Sequence, residues 1–446
     1  MNYFIYNFLF STSLILLWCL VIYGRQISAN FYGNKVLLNL VFFFVFVKLL
    51  LHYTVPSFLR IISGYQFEKE DNVKIYDLLI IYGIEIISWF FWIIGFLIIG
   101  ILYKEKKKII ERKDFINMNI SESKFLFFIV SIGFIVNMYF LISLRPMNVF
   151  FSIFSQLFFF VGISVGPLLI FVPKNILNKF YSFLGFIVLV VSLLGIATRG
   201  AFVYTIWYCI FILFYLFYSK KMIKFLLFGI VFLIILKFSF PDLLGGRVTI
   251  NENGISLVPQ DFSEKQGSRS LVDEIEWRLG APTRAGTAFL YLHEQRPAGI
   301  NPIKNSLLGF MPRAFNENKP YPSSIDANDQ YSLGMYLIMG KLYGTETLMV
   351  EFPTGAHFYW EFGVLGVFLL SIISGIYIGI CAKYLSTKGL IAIPLLFATF
   401  KPFGYVDPKI WVSDIAMQIY QLVLPAFFLF GIYKTWVIIK NSLRNS

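Results

Sequence analysis

Residues 192–206 read SLLGIATRGAFVYTI, inside a stretch from Phe180 to Tyr218 that carries one charge, Arg199. The stretch is 39 residues long, and Arg199 is its twentieth. At about 1.5 Å per residue it would form roughly 58 Å of helix, close to two bilayer thicknesses. A single span would leave half of it outside lipid. Two spans joined at Arg199-Gly200 account for both the length and the place of the charge. Lys179 flanks one end, and Lys220, Lys221 and Lys224 flank the other. Lysine clusters mark the cytoplasmic side of membrane helices, so the tip is expected to point outward.

The same reasoning extends along the chain. Its 446 residues are 58% hydrophobic, with 52 Phe, 26 Tyr and a mean hydropathy of +0.72. A soluble domain cannot cover that much apolar surface. Apolar stretches of about 20 residues recur, the length of a helical span, and the short alternating strands of a β-barrel are not seen. Spans are expected at 3–23, 36–55, 77–102, 125–144, 151–172, 180–197, 201–218, 225–240, 357–380, 390–404 and 415–438. Eleven spans place the N-terminus outside and the C-terminus inside. The inner connections then hold nineteen of the 38 Lys and Arg against four acids, Glu105, Glu111, Asp114 and Glu122. The net charge of +13 thus follows topology, and nucleic acid is not an expected partner. The first span lacks a basic leader and a small-residue cleavage site, so it reads as a retained helix. Cys19, Cys209 and Cys381 lie in or beside spans, which implies no disulfide framework.

The expected organisation is a first bundle of eight spans over 1–240, a large external loop over 241–352, and three spans with a cytoplasmic tail over 353–446. A loop this long is uncommon unless it has a function. It holds six of the twelve arginines: Arg247, Arg269, Arg278, Arg284, Arg296 and Arg313. Topology disfavours positive charge outside, yet arginine is used there. Its planar fork suits bidentate contact with phosphate or carboxylate. Pairing with the loop's own thirteen acids is the plain alternative. The segment SRSLVDEIEWRLGAPTRAGTAFLYLHE, 268–294, predicts a helix that breaks at Gly280-Ala-Pro282. A second helix is expected from about Arg284 to His293. Such helices would lie on the membrane surface or roof a cavity between spans.

Two charges fall inside expected spans. Lys48 and Glu85 lie at similar depth on adjacent helices, so an ion pair between them is expected. An unpaired charge there would cost several kcal/mol.

Three short motifs follow in order: ATRGAF at 197–202, MPRAFNENKP at 311–320, and PTGAHFYWEFGVLGVFLL at 353–370. Together, on this topology, they resemble the bacterial O-antigen or polysaccharide repeat-unit polymerase (Wzy) family, and more distantly the O-antigen ligases. The resemblance covers the last 270 residues. It rests on the arginine-glycine turn, a large outer loop, and a histidine opening a late span with G-x-x-G following, here Gly363 and Gly366. It implies an all-α polytopic fold, glycosyltransferase-C-like, in the bacterial cytoplasmic (inner) membrane with its active face outside. It further implies that two undecaprenyl-pyrophosphate-linked oligosaccharides, donor and acceptor, are joined while lipid pyrophosphate leaves. A chain-length regulator is a further partner that the resemblance admits.

Such a reaction needs cations for the pyrophosphate and a base for the attacking hydroxyl. The outer loop shows no carboxylate or histidine cluster with metal-ligand spacing, so a metal-independent mechanism without a cofactor is expected. Arg199, Arg313, Arg278, Arg284 and Lys319 are the candidate pyrophosphate and glycan ligands. For Arg199 the plain alternative is a snorkelling arginine that pins its hairpin. His357 is the candidate base, and Glu361, four residues on along the same helix face, would orient it. An interfacial histidine with no such role is the alternative. His52 and His293 receive no role. A ligase, a lipid-linked oligosaccharide flippase or transporter, and a non-catalytic assembly partner remain alternative readings.

Overall fold

The computed structural model of the chain describes residues 2–32, 38, 41–42, 45–46, 48–63, 75–103, 246–251, 254–259, 271–308, 353–388, 409, 412, 415 and 424–445. The described elements are helical apart from one β-hairpin. Helix α1, Asn2–Trp18, continues through a π-helical turn, Cys19–Gly24, into α2, Arg25–Ala29. A second π turn, Leu50–Thr54, leads into α3, Val55–Ser63. Then come α4, Ile75–Leu102; α5, Leu271–Gln295; α6, Asn301–Leu308; α7, Thr354–Lys388; and α8, Leu424–Asn445. Strands β1, Gly246–Asn251, and β2, Gly254–Pro259, pair antiparallel, with Val248 opposite Leu257 and Ile250 opposite Ile255. Alternating β-branched and polar residues are the sequence signal for that pair, which the all-α expectation passed over. The expected spans 125–144, 151–172, 180–197, 201–218, 225–240 and 390–404 lie outside the described residues.

Among the described residues, three helices are long and apolar enough to cross a membrane: Phe4–Ala29, Tyr76–Leu102 and Thr354–Lys383. Their outward faces are apolar, while polar groups are buried among an apolar core. Phe4, Phe8, Ile15 and Trp18 on α1, Phe90 on α4, and Leu365, Leu369 and Ile373 on α7 face outward. Glu85, Ser88, Arg284, His357, Glu361, Ser371, Ser374 and Lys409 are buried with apolar side chains such as Trp89, Trp92 and Phe96. Apolar rows of this size facing outward fit lipid as the surrounding medium.

Helix α7 is two helices. Phe362 (φ −136°, ψ 23°) and Gly363 (φ 62°, ψ −147°) leave helical geometry between a short arm, 354–361, and a long arm, 364–388. The break is a reversal. A Cβ on Gly355 would lie 2.9 Å from the Ser88 Cβ, while the Ser371 hydroxyl lies 2.8 Å from the Ser88 hydroxyl. Sixteen residues of straight helix would separate those two positions by about 24 Å. A Cβ on Gly366 would likewise overlap the Phe358 carbonyl, so the arms pack directly on one another at the tip. The long arm alone is about 37 Å, still enough to span.

The long arm packs along α4 through small residues. A Cβ on Gly95 would strike the Ile372 carbonyl, and one on Gly375 the Trp92 carbonyl. Gly379 meets Ile99 and the Tyr32 hydroxyl. These contacts advance together along both chains, so α4 and the long arm run parallel. In lipid no hydrophobic force draws helices together, and close backbone approach between small residues replaces it.

Helix α5 corrects the expected break at Gly280-Ala-Pro282. It is one continuous helix that carries Pro282 in its interior and packs against α3, α4 and α7. Proline withdraws a backbone donor and opens the turn before it. At that turn the Leu279 carbonyl oxygen lies 3.1 Å from His52 Nδ1, and the Thr283 hydroxyl donates to the His52 carbonyl at 2.8 Å. The π turn at 50–54 and the proline turn of α5 therefore complete one another. A proline inside a helix is tolerated where a neighbouring helix re-satisfies the backbone in this way.

Candidate functional site

His357 and Glu361 lie one helical turn apart on the short arm, and both are buried. His357 Nδ1 and Glu361 Oε1 are 3.2 Å apart, close enough to pair electrostatically but not aligned as a hydrogen bond. The imidazole packs edge-on between Phe289 of α5 and Trp360, with ring centroids 5.6 and 5.5 Å away. The i,i+4 pairing matches the sequence expectation. Its setting differs. The pair does not open a straight span from the outer mouth; it rides on a short arm whose first turn is sunk beside Glu85. Glu85 is ten residues into α4, about 15 Å from its start.

The reversal leaves carbonyls at the end of the short arm without helical partners, and the chain after α5 supplies donors. The Ala298 amide donates to the Trp360 carbonyl at 3.2 Å and the Gly299 amide to the Glu361 carbonyl at 2.9 Å. His293 Nδ1 lies 3.2 Å from the same Trp360 oxygen, and the Trp360 indole donates to the Arg296 carbonyl at 3.0 Å. His293 thus has a structural role. The Tyr291 hydroxyl donates to Asp77 at 2.5 Å, which ties the end of α5 to the start of α4. Burial, and then the Asp77 carboxylate, push that hydroxyl up to about 12.

Gly363 makes the reversal possible. Its φ of 62° with ψ of −147° belongs to a region that only glycine adopts without strain. An added Cβ would also sit 3.1 Å from His293 Nε2. Gly363→Ala is expected to cost about 1–3 kcal/mol, seen as a lower melting temperature of the purified protein. Gly83→Ala, where an added methyl meets nothing within 4 Å, is the control and should hold or gain stability.

The expected Lys48–Glu85 pair is corrected. The Glu85 partner is Lys409, whose ammonium donates to Glu85 Oε2. The same ammonium lies 3.3 Å from the Ser88 hydroxyl and 4.3 Å from the centre of the Trp89 ring. The other Glu85 oxygen accepts the Ala356 amide at 3.2 Å. Lys48 is buried as well, but Glu85 is committed to Lys409 and the short arm. Equal depth on neighbouring helices was the only sequence signal used, and it carries no information about a partner 324 residues away.

Arg284 is fully buried on α5. It lines a narrow cleft of about 10 Å³, room for about one water, with Arg60, Tyr6, Ser57, Tyr82 and Thr283. Arg60 is also buried, with its guanidinium 5.8 Å from the Tyr6 ring centre. Arg60 has no role in the sequence reading and lies five residues beyond the expected span 36–55. The cleft lining includes neither His357 nor Glu361. The backbone of Arg278 lies on α5, one turn before Pro282. Arg199, Arg313 and Lys319 lie outside the described residues. No family model matches the chain, and neither does any curated protein or solved structure.

Proposed function

We propose that the chain is a metal-independent membrane glycosyltransferase. In this reading it polymerises undecaprenyl-pyrophosphate-linked repeat units into O-antigen or a related surface polysaccharide, at the outer face of a bacterial cytoplasmic membrane. The observation that carries the reading is the buried His357–Glu361 pair, walled by Phe289 and Trp360. An imidazole with a carboxylate one helical turn away is suited to take a proton from an attacking hydroxyl. Arg199, Arg313, Arg278, Arg284 and Lys319 are the candidate ligands of the anionic headgroup. The motif order at 197–202, 311–320 and 353–370 supports the choice of a polysaccharide substrate.

One observation favours a second reading. A reversed half-helix beginning beside a buried ion pair is also how transporters build a site within the membrane. The surface polysaccharide of a deletion strain separates the readings. A single repeat unit capping the lipid core is the expected result. A bare core with accumulated lipid-linked polymer would mean a ligase. A bare core with unpolymerised lipid-linked units held on the inner leaflet would mean a flippase.

A further inference from the structure

Glu85 makes two kinds of contact that have separable consequences. Its charge is matched by Lys409, and its Oε1 accepts the backbone amide of Ala356. Ala356 immediately precedes His357 and lies in the first turn of the short arm, which begins at Thr354. The first amides of a helix have no partner within it, and a carboxylate placed there holds them and opposes the local positive end of the helix. Glu85 is thus an N-terminal cap supplied from another helix. Gly355 allows this approach: a Cβ there would meet Glu85 Oε1 at 2.5 Å and the Ser88 Cβ at 2.9 Å. The attachment is braced on three sides. Ser88 ties α4 to Ser371 of the long arm at 2.8 Å, the Thr354 hydroxyl lies 3.5 Å from the Lys409 carbonyl, and Lys409 itself is sealed over Trp89.

We infer that Glu85, held by Lys409, is a positioning residue for the proposed base. It fixes the first turn of the short arm and thereby sets where the His357 imidazole stands. The far end of the arm is fixed separately, by the Ala298 and Gly299 amides, so the arm is clamped at both ends. Without the cap, the tip contacts still hold Trp360 and Glu361, while the turn that carries His357 is free to fray.

The inference rests on the reading of His357 as a base, so its test includes a measurement that does not depend on activity. Two double variants of the full chain remove the buried charges together. Glu85→Gln with Lys409→Met keeps an oxygen acceptor for the Ala356 amide. Glu85→Leu with Lys409→Met removes it. A third variant, Ala356→Pro, deletes the donor while leaving the ion pair, and proline is tolerated in the first turn of a helix. Hydrogen exchange of residues 354–361 is measured in purified protein, with residues 364–388 as the internal reference. The Gln–Met variant should exchange as wild type does. The Leu–Met and Pro variants should exchange at least tenfold faster in the short arm alone. Turnover should fall at least tenfold in the same two variants, with donor retention unchanged.

Wild-type exchange in both variants would overturn the inference. So would equal activity losses in the Gln–Met and Leu–Met chains, since only one of them has lost the cap. Faster exchange with undiminished turnover would uphold the cap and instead remove His357 from the proposed chemistry.

Discussion

Lys409→Met is expected to strip most of the protein from the membrane, and adding Glu85→Leu to the same chain is expected to bring it back. The Glu85 carboxylate is 1% exposed, so it has no route to water once its counter-charge is gone. Breaking a buried pair from one side costs about 3–5 kcal/mol, because the remaining charge is left uncompensated. That approaches the whole margin of a protein with about 5–15 kcal/mol of stability. Replacing both partners with apolar groups of similar volume is close to neutral, since desolvation offsets most of the Coulomb gain. The check is an immunoblot of membrane fractions at matched expression. Recovery of Glu85→Leu by Lys48→Met, in place of Lys409→Met, would restore the pairing that equal depth suggests and overturn the one described.

What was legible in the sequence divides by range. The i,i+4 meeting of His357 and Glu361 follows from helical periodicity, and the chain delivers it. The apolar helices Phe4–Ala29, Tyr76–Leu102 and Thr354–Lys383 follow from length and composition. The reversal at Gly363 was in view only as a glycine spacing. Nothing local distinguishes a glycine that packs from one that turns the chain, and hydropathy continues unbroken across it. Pro282 reads as a break for the complementary reason. The residue is a helix breaker by itself, and the groups that repair the turn, His52 and its carbonyl, come from a helix far away in sequence. The Lys409 partnership is the same kind of case, because long-range polar contacts leave no periodic trace. Arg60 sat in plain sight beside a span, and only the fold brings it to the cleft of Arg284.

His357→Ala is expected to abolish polymer while leaving the lipid-linked donor bound, and arginine-to-lysine changes are expected to fail in the opposite manner. A base acts on the acceptor hydroxyl in the transition state, so its loss lowers turnover without weakening donor retention. Arg284→Lys, Arg199→Lys and Arg313→Lys keep a positive charge and lose the planar fork that grips a phosphate in two places. A charge-assisted hydrogen bond contributes about 1.5–3 kcal/mol, and about 1.4 kcal/mol is a factor of ten in rate. Each lysine variant should therefore lose at least about tenfold in donor retention or turnover. Purified variants at matched protein level, incubated with lipid-linked repeat units, give both quantities from one preparation. Arg284 is the most telling of the three, because its burial is described. A loss of donor retention in His357→Ala would take the histidine out of the role of base. Polymer of normal length from Arg284→Lys would return that arginine to a packing role among Tyr6, Arg60 and Tyr82. Donor held normally by every variant would leave the histidine pair without a substrate beside it, and the glycosyl-transfer reading would fall.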